Sequence, residues 1–247
     1  MTAPPDAEAV AEHRSPADII QIADDARVHR LRHPNPDSRY PVPILLVPSL
    51  LSKWYVFDLH PDRSLAGFLR DHDYDVWVAD MGRPGHKRPT PGFDTYMQYL
   101  TGMVDEIEEL SDGIPPSILG YSLGGVLATV FGALHPDRIA NLITLTTPID
   151  FHRTGIVAAW ARYFPVNPFV DFWGNVPSWF FKSGFNTLAI PRAHLLWRAF
   201  GEDLKTAEGR AVANAVRRWV GDGVPVAGEL YRKLVADCYK HLSLIHI

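Results

Sequence analysis

The sequence predicts an α/β fold: a mostly parallel sheet followed by a helical region. Three observations carry this. Short aliphatic runs alternate with longer helix-like stretches over the first 150 residues. A glycine-rich turn joins one such run to the next helical stretch. After Pro148 the strand pattern stops and aromatic residues crowd in. Strands alternating with helices imply βαβ units, and a sheet covered on both faces needs strands that are apolar on both sides.

The aliphatic run Ile44-Leu45-Leu46-Val47 reads as a strand buried on both faces. Further strands are expected at Asp75–Ala79, Ser117–Leu119 and Ile139–Thr146, with helices at Ser64–Asp71, Thr95–Leu110 and Leu123–Leu134. Upstream, residues 1–15 mix Pro, Ala and acidic residues and read as a loose tail. A short helix is expected from Pro16 to Ala26, with Ser15 as N-cap, Pro16 at the first helical position and Asp18 in the first turn. The prolines of HPNPDSRYPVP make that segment a loop. The core is thus expected over residues 16–150 and a helical cap over 151–241. Pro165, Pro168 and Pro177 keep the first cap helices short, and longer helices are expected from Arg192 to Tyr239.

Composition bounds the function classes. The chain has 247 residues, 47% hydrophobic and 21% charged, enough for one sizeable core. A net charge of -4 and a pI near 6.2 argue against a nucleic-acid partner, which would call for a basic face. The single cysteine, Cys238, cannot form an internal disulfide and is read as inert. The N-terminus has neither a basic nor an apolar region of a secretory signal, and the apolar runs are shorter than a membrane span. A cytoplasmic protein is expected, with no cofactor and no metal.

The chemistry centres on Gly120-Tyr121-Ser122-Leu123-Gly124-Gly125, between the strand at Ile118-Leu119 and the helix VLATVFGAL. A serine on a sharp strand-to-helix turn projects its oxygen clear of the sheet, and the crowding of that turn requires small flanking residues. The helix N-terminus adds free N–H groups and a field that favours developing negative charge. This is the nucleophile elbow of an α/β-hydrolase fold, with Ser122 as nucleophile and the Leu123 N–H as first oxyanion donor. The second donor should come from the loop Pro48-Ser49-Leu50-Leu51-Ser52, as the amide of Leu50 or Leu51. Ser49 and Ser52 are either polar pocket groups or ordinary loop serines. Tyr121 and His152 are candidate substrate contacts.

Several stretches carry a resemblance. VPSLLSKWYVFDLHPDRSLAGFLRDHDYDVWVADMG contains Tyr55-x-x-Asp58-Leu59, Pro61-Asp62-Arg63-Ser64, and Asp75-Val76-Trp77 leading to Asp80; TTPIDF (Thr146–Phe151) and GNVPSWFF (Gly174–Phe181) follow. From about Val42 to Tyr239 the chain resembles polyhydroxyalkanoate synthases, the class III catalytic subunit especially. The resemblance implies an α/β-hydrolase fold with a cap over the active site. It also implies acyl transfer from a hydroxyacyl thioester to a growing polyester, hence a small-molecule or polymeric acyl substrate and a partner subunit or polyester granule. Those synthases carry cysteine in the elbow, where this chain has Ser122. A thiolate is the better nucleophile and leaving group for thioester exchange, so serine favours hydrolysis of an ester or thioester. The aromatic-rich segment after Phe151 fits either a cap over an apolar acyl group or a packed helical core.

A serine nucleophile needs a histidine base and an orienting acid, which in this fold follow it in the order Asp or Glu, then His. Of the downstream histidines, His135 falls in a helix-to-strand turn, His152 just after a strand, His194 in a helix, and His241 and His246 at the chain end. None follows two further strands, so the acid and base are expected beyond this chain. The last six residues, Leu242–Ile247 (LSLIHI), match one reading frame of the transposase mosaic-end adapter CTGTCTCTTATACACATCT. The native frame is therefore expected to be interrupted near His241. The sheet would then lack its C-terminal strands, and the chain alone would be inactive and unstable.

Overall fold

A computed structural model describes residues 15–85, 90–153, 155–189, 201 and 203–240. Residues 1–14 of the tail expected over 1–15, the adapter-like 242–247, and His194, His241 and His246 lie outside them; Ser15 is described and is buried rather than loose. Six strands form one sheet in the order β1-β2-β4-β3-β5-β6. They are β1 Ala17–Gln21, β2 Arg27–Leu31, β3 Ile44–Val47, β4 Val76–Asp80, β5 Ser117–Tyr121 and β6 Asn141–Leu145. β4, β3, β5 and β6 run parallel, while β1 and β2 add an antiparallel edge.

The four aliphatic residues of β3 are all buried, and the pleat sends them to opposite faces. Leu45 and Val47 join Trp77, Ala79 and Ile118 in one core, while Ile44 and Leu46 join Val76, Val78 and Phe57 in the other. The larger core is closed by α2 (Phe93–Glu109) and α3 (Leu123–Leu134). α2 buries Phe93, Tyr96, Leu100, Met103, Val104 and Ile107, the three- and four-residue spacing of a one-faced helix. α1 (Leu65–Asp71) starts at Ser64, whose hydroxyl accepts the Gly67 N–H at 2.7 Å.

The helix expected from Pro16 to Ala26 is instead strand β1 and the turn that follows it. Pairing overrides the local capping signal: Ile19 lies opposite His29 and Ile20 opposite Val28, and β-branched side chains suit a pleated edge. β2, which the sequence reading left without an element, continues the hairpin and buries Val28, His29 and Leu31. Ser15 caps no helix. Its N–H and hydroxyl both bind the Asp58 carboxylate, at 2.6 and 3.1 Å.

After β6 the described residues form helices α4 (Ile156–Tyr163), α5 (Val166–Trp173), α6 (Ser178–Ala189), α7 (Ala207–Gly221) and α8 (Gly228–Lys233), the last continuing as a wider turn through Lys240. Phe151, Val166, Val170, Leu230, Val235 and Cys238 share the core of α2 and α3, which seats this helical cap on the sheet. β6 forms an edge of the sheet, with Leu142, Ile143 and Leu145 exposed. No helix among the described residues is long and apolar enough to cross a membrane.

Cys238 is 1% exposed, and burial, with a smaller contribution from Asp237, pushes its thiol up to about 12 despite the opposing charge of Lys233. Since the thiolate is the reactive species, Cys238 should stay unlabelled by iodoacetamide at pH 8 in folded protein and react on denaturation. Mass spectrometry of the tryptic peptide reads this directly.

Candidate active site

Ser122 stands between the end of β5 and the first turn of α3, at φ 54° and ψ -122°. Positive φ in a residue with a side chain is strained by about 1–3 kcal/mol and persists only where its surroundings hold it. Here they do. The Ser122 N–H donates to the Leu145 carbonyl at 2.9 Å, which fastens the turn to β6. Its carbonyl accepts the Gly125 N–H at 3.0 Å, starting the helix. Two close approaches complete the turn. A Cβ on Gly120 would overlap the Gly125 backbone, and one on Gly124 would overlap the Pro48 carbonyl oxygen and lie 2.5 Å from that of Val47. The glycines thus let the elbow fold on itself and let α3 press against the end of β3.

That second contact brings the loop after β3 beside the serine. Ser49, Leu51, Ser52, Tyr121 and Ser122 line one side of a cleft of about 430 Å³. The opposite side comes from the cap: Ser178, Phe181 and Lys182 of α6, Trp219 and Val220 of α7, and Gly223 and Val224 beyond it. The Leu123 N–H, at the first helical position, makes no hydrogen bond among the described residues. Leu50 is buried behind the loop. The Leu51 N–H has only a 3.5 Å approach to Ser49 Oγ, and the Ser52 N–H is taken by the Ser49 carbonyl at 2.8 Å. Leu51 borders the cleft whereas Leu50 does not, so Leu51 is the better placed of the two.

Tyr121 lies in the cleft wall, its ring 6.3 Å from that of Phe57, and burial raises its hydroxyl above the ordinary 10.0. His152 belongs to the short turn Phe151–Arg153, and its side chain is outside the described part of the structure. His135 ends α3 with its ring 5.0 Å from Phe131, a packing role. Ser49 and Ser52 are both pocket residues.

The sequence reading missed two features. The first is the role of Asp58, which belongs to the Tyr55-x-x-Asp58-Leu59 segment that carries the resemblance. It is 1% exposed and binds the Ser64 hydroxyl at 2.6 Å as well as Ser15, so it ties the segment after the β3 loop to α1 and to the residues just before β1. A buried carboxylate among hydrogen-bond donors is a structural anchor. The second is Asp222, just past α7, which accepts from the Tyr55 hydroxyl at 2.7 Å and pairs with Lys53 Nζ at 2.6 Å. Partial burial pushes its carboxyl up. Hydrogen bonds from Lys53 and Tyr55 and the charges of Lys53 and Arg83 outweigh that and hold it below the ordinary 3.8. Whatever it contributes to stability is in place above that ordinary value and is lost as pH falls through the lowered one.

Comparison with known proteins fits this geometry. The α/β-hydrolase fold profile matches residues 42–199, spanning β3, the elbow and much of the cap. The chain belongs to the α/β-hydrolase fold family. Among curated relatives of this α/β hydrolase, the poly(3-hydroxyalkanoate) polymerase subunit PhaC of Haloferax mediterranei is 30% identical over 84% of the chain, and that of Allochromatium vinosum 28% over 97%. The chain spans 43% of the length of the first and 69% of the second. Among solved structures, an epoxide hydrolase from Bacillus megaterium superposes with a TM-score of 0.51 at 12% identity, over 93% of this chain and 75% of that one. That likeness concerns the fold alone.

Proposed function

We propose that Ser122 is the nucleophile of an acyl-transfer enzyme that cleaves an ester or thioester, with a hydroxyacyl group as the favoured acyl part. One observation carries the proposal: Ser122 is held at positive φ on a strand-to-helix turn, with a free N–H behind it and a cleft in front. Attack by Oγ on the acyl carbon would move negative charge onto the carbonyl oxygen. The N–H groups of Leu123 and Leu51 are the donors assigned to that charge. The leaving alcohol or thiol departs with a proton, and water then releases the acid from the acyl-enzyme. No histidine side chain borders the cleft among the described residues, so the proposal places base and acid outside them.

The likeness to PhaC proteins supports the substrate class, and the elbow serine favours water over a growing polyester as acceptor. The full-length protein given a hydroxyacyl-CoA should release free acid and CoA without polymer. Polymer would instead establish a serine-based polyester synthase. A second reading rests on a different observation. Trp160, Tyr163, Phe172, Trp173 and Trp179 of the cap are all at least 45% exposed, which fits a binding relative that docks on a polyester granule or a partner subunit. Such a binder would keep its whole activity when Ser122 is replaced.

A further inference from the structure

The two walls of the cleft come from segments about 170 residues apart, and one carboxylate joins them. Lys53 and Tyr55 follow directly on the loop that carries Leu50 and Leu51. Asp222 follows directly on the last turn of α7, which supplies Trp219 and Val220 to the facing wall. Both side chains of the sheet side converge on a single atom, Asp222 Oδ2, with Tyr55 at 2.7 Å and Lys53 at 2.6 Å. Tyr55 is 7% exposed, so its ring is enclosed by the protein. Two residues past Asp222 the backbones meet as well: the Val224 N–H donates to the Leu51 carbonyl at 3.1 Å. From the cap side, Lys182 Nζ donates to the Gly221 carbonyl at 2.7 Å, anchoring the end of α7 to α6.

We propose that Asp222 is a positioning residue that acts through Tyr55 and Lys53 to fix the oxyanion loop against the cap. Seating of the α7 end and placement of the Leu51 N–H are then one event. The Leu51 peptide is held from the cap through its neighbouring carbonyl, so a shift of residues 222–224 moves the loop that presents the amide. An oxyanion donor works only when it is held close to its best position, about 2.7–3.1 Å from the developing charge, so a small displacement costs rate more than binding. An exposed ion pair would contribute little to stability alone. Here its geometric effect outweighs its energetic one, because the loop it restrains borders the reacting serine.

The inference rests on Ser122 being the nucleophile, and the test separates the two claims. The full-length protein is assayed with p-nitrophenyl butyrate, reading kcat, KM and Tm for each variant. Asp222→Ala should lower kcat about tenfold, leaving KM within about twofold and Tm within a few degrees. Asp222→Asn, whose amide oxygen still accepts from Tyr55, should recover most of that loss. Adding Tyr55→Phe to Asp222→Ala should cost nothing further, because the two act as one unit. Unchanged kcat in Asp222→Ala, a loss confined to Tm or KM, or additivity with Tyr55→Phe would overturn the positioning role. Ser122→Ala is run in parallel: retained turnover there would overturn the nucleophile assignment itself, whatever Asp222 does.

Discussion

Ser122→Ala should reduce kcat/KM of the full-length protein toward an acyl ester by at least about a thousandfold, with little change in Tm. The loss is large because alanine cannot form the acyl-enzyme, which leaves only what the oxyanion donors and the cleft contribute by binding. The small stability effect follows from the backbone. The turn is held by the Ser122 N–H to Leu145 and the Ser122 carbonyl to Gly125, and alanine keeps both bonds. No side-chain hydrogen bond of Ser122 occurs among the described residues, so its removal leaves no partner stranded. Kinetics with a chromogenic ester, paired with thermal melting, check both halves.

Gly124→Ala should be damaging in the opposite proportion, costing about 1–3 kcal/mol of stability and most of the activity. The added methyl meets backbone rather than a movable side chain: the carbonyls of Val47 and Pro48 at the end of β3. Either α3 tilts away from the sheet or the chain at Val47–Pro48 yields. The first spoils the elbow and the second displaces the loop that carries Leu50 and Leu51. Gly184, inside α6, offers a control of the same substitution: a Cβ there meets nothing within 4 Å, so Gly184→Ala should be no less stable than the parent and should gain up to about 1 kcal/mol from the helix preference of alanine. Urea denaturation of the two variants tests the contrast.

The parallel part of the fold was legible because its signals are local. β3 announced itself as four aliphatic residues, and α3 was expected at the residues where it occurs, Leu123–Leu134. The elbow was legible for the same reason, since strand, turn and helix are contiguous in the chain. The antiparallel pair β1 and β2 was not. Ser15-Pro16 with Asp18 is a sound helix start, and only pairing between Ala17–Gln21 and Arg27–Leu31, with β4 beyond, makes the segment a strand. The facing wall of the cleft was equally hidden. Nothing in the spacing of Trp219, Gly223 or Lys182 marks them as neighbours of Ser122, because they meet it only through the packing of α6 and α7. Asp58 shows the converse. It lies in a segment that carries the family resemblance, yet the side chain holds Ser15 and Ser64 rather than lining the cleft.

The central claim is that an acyl group passes through Ser122. Brief incubation of the full-length protein with a hydroxyacyl thioester, acid quench and peptide mass spectrometry tests it most directly. The account predicts the acyl mass on the peptide carrying Gly120–Gly125, localised to Ser122, and its decay as free acid appears. Turnover with no adduct at Ser122, or an adduct on another residue, would contradict it.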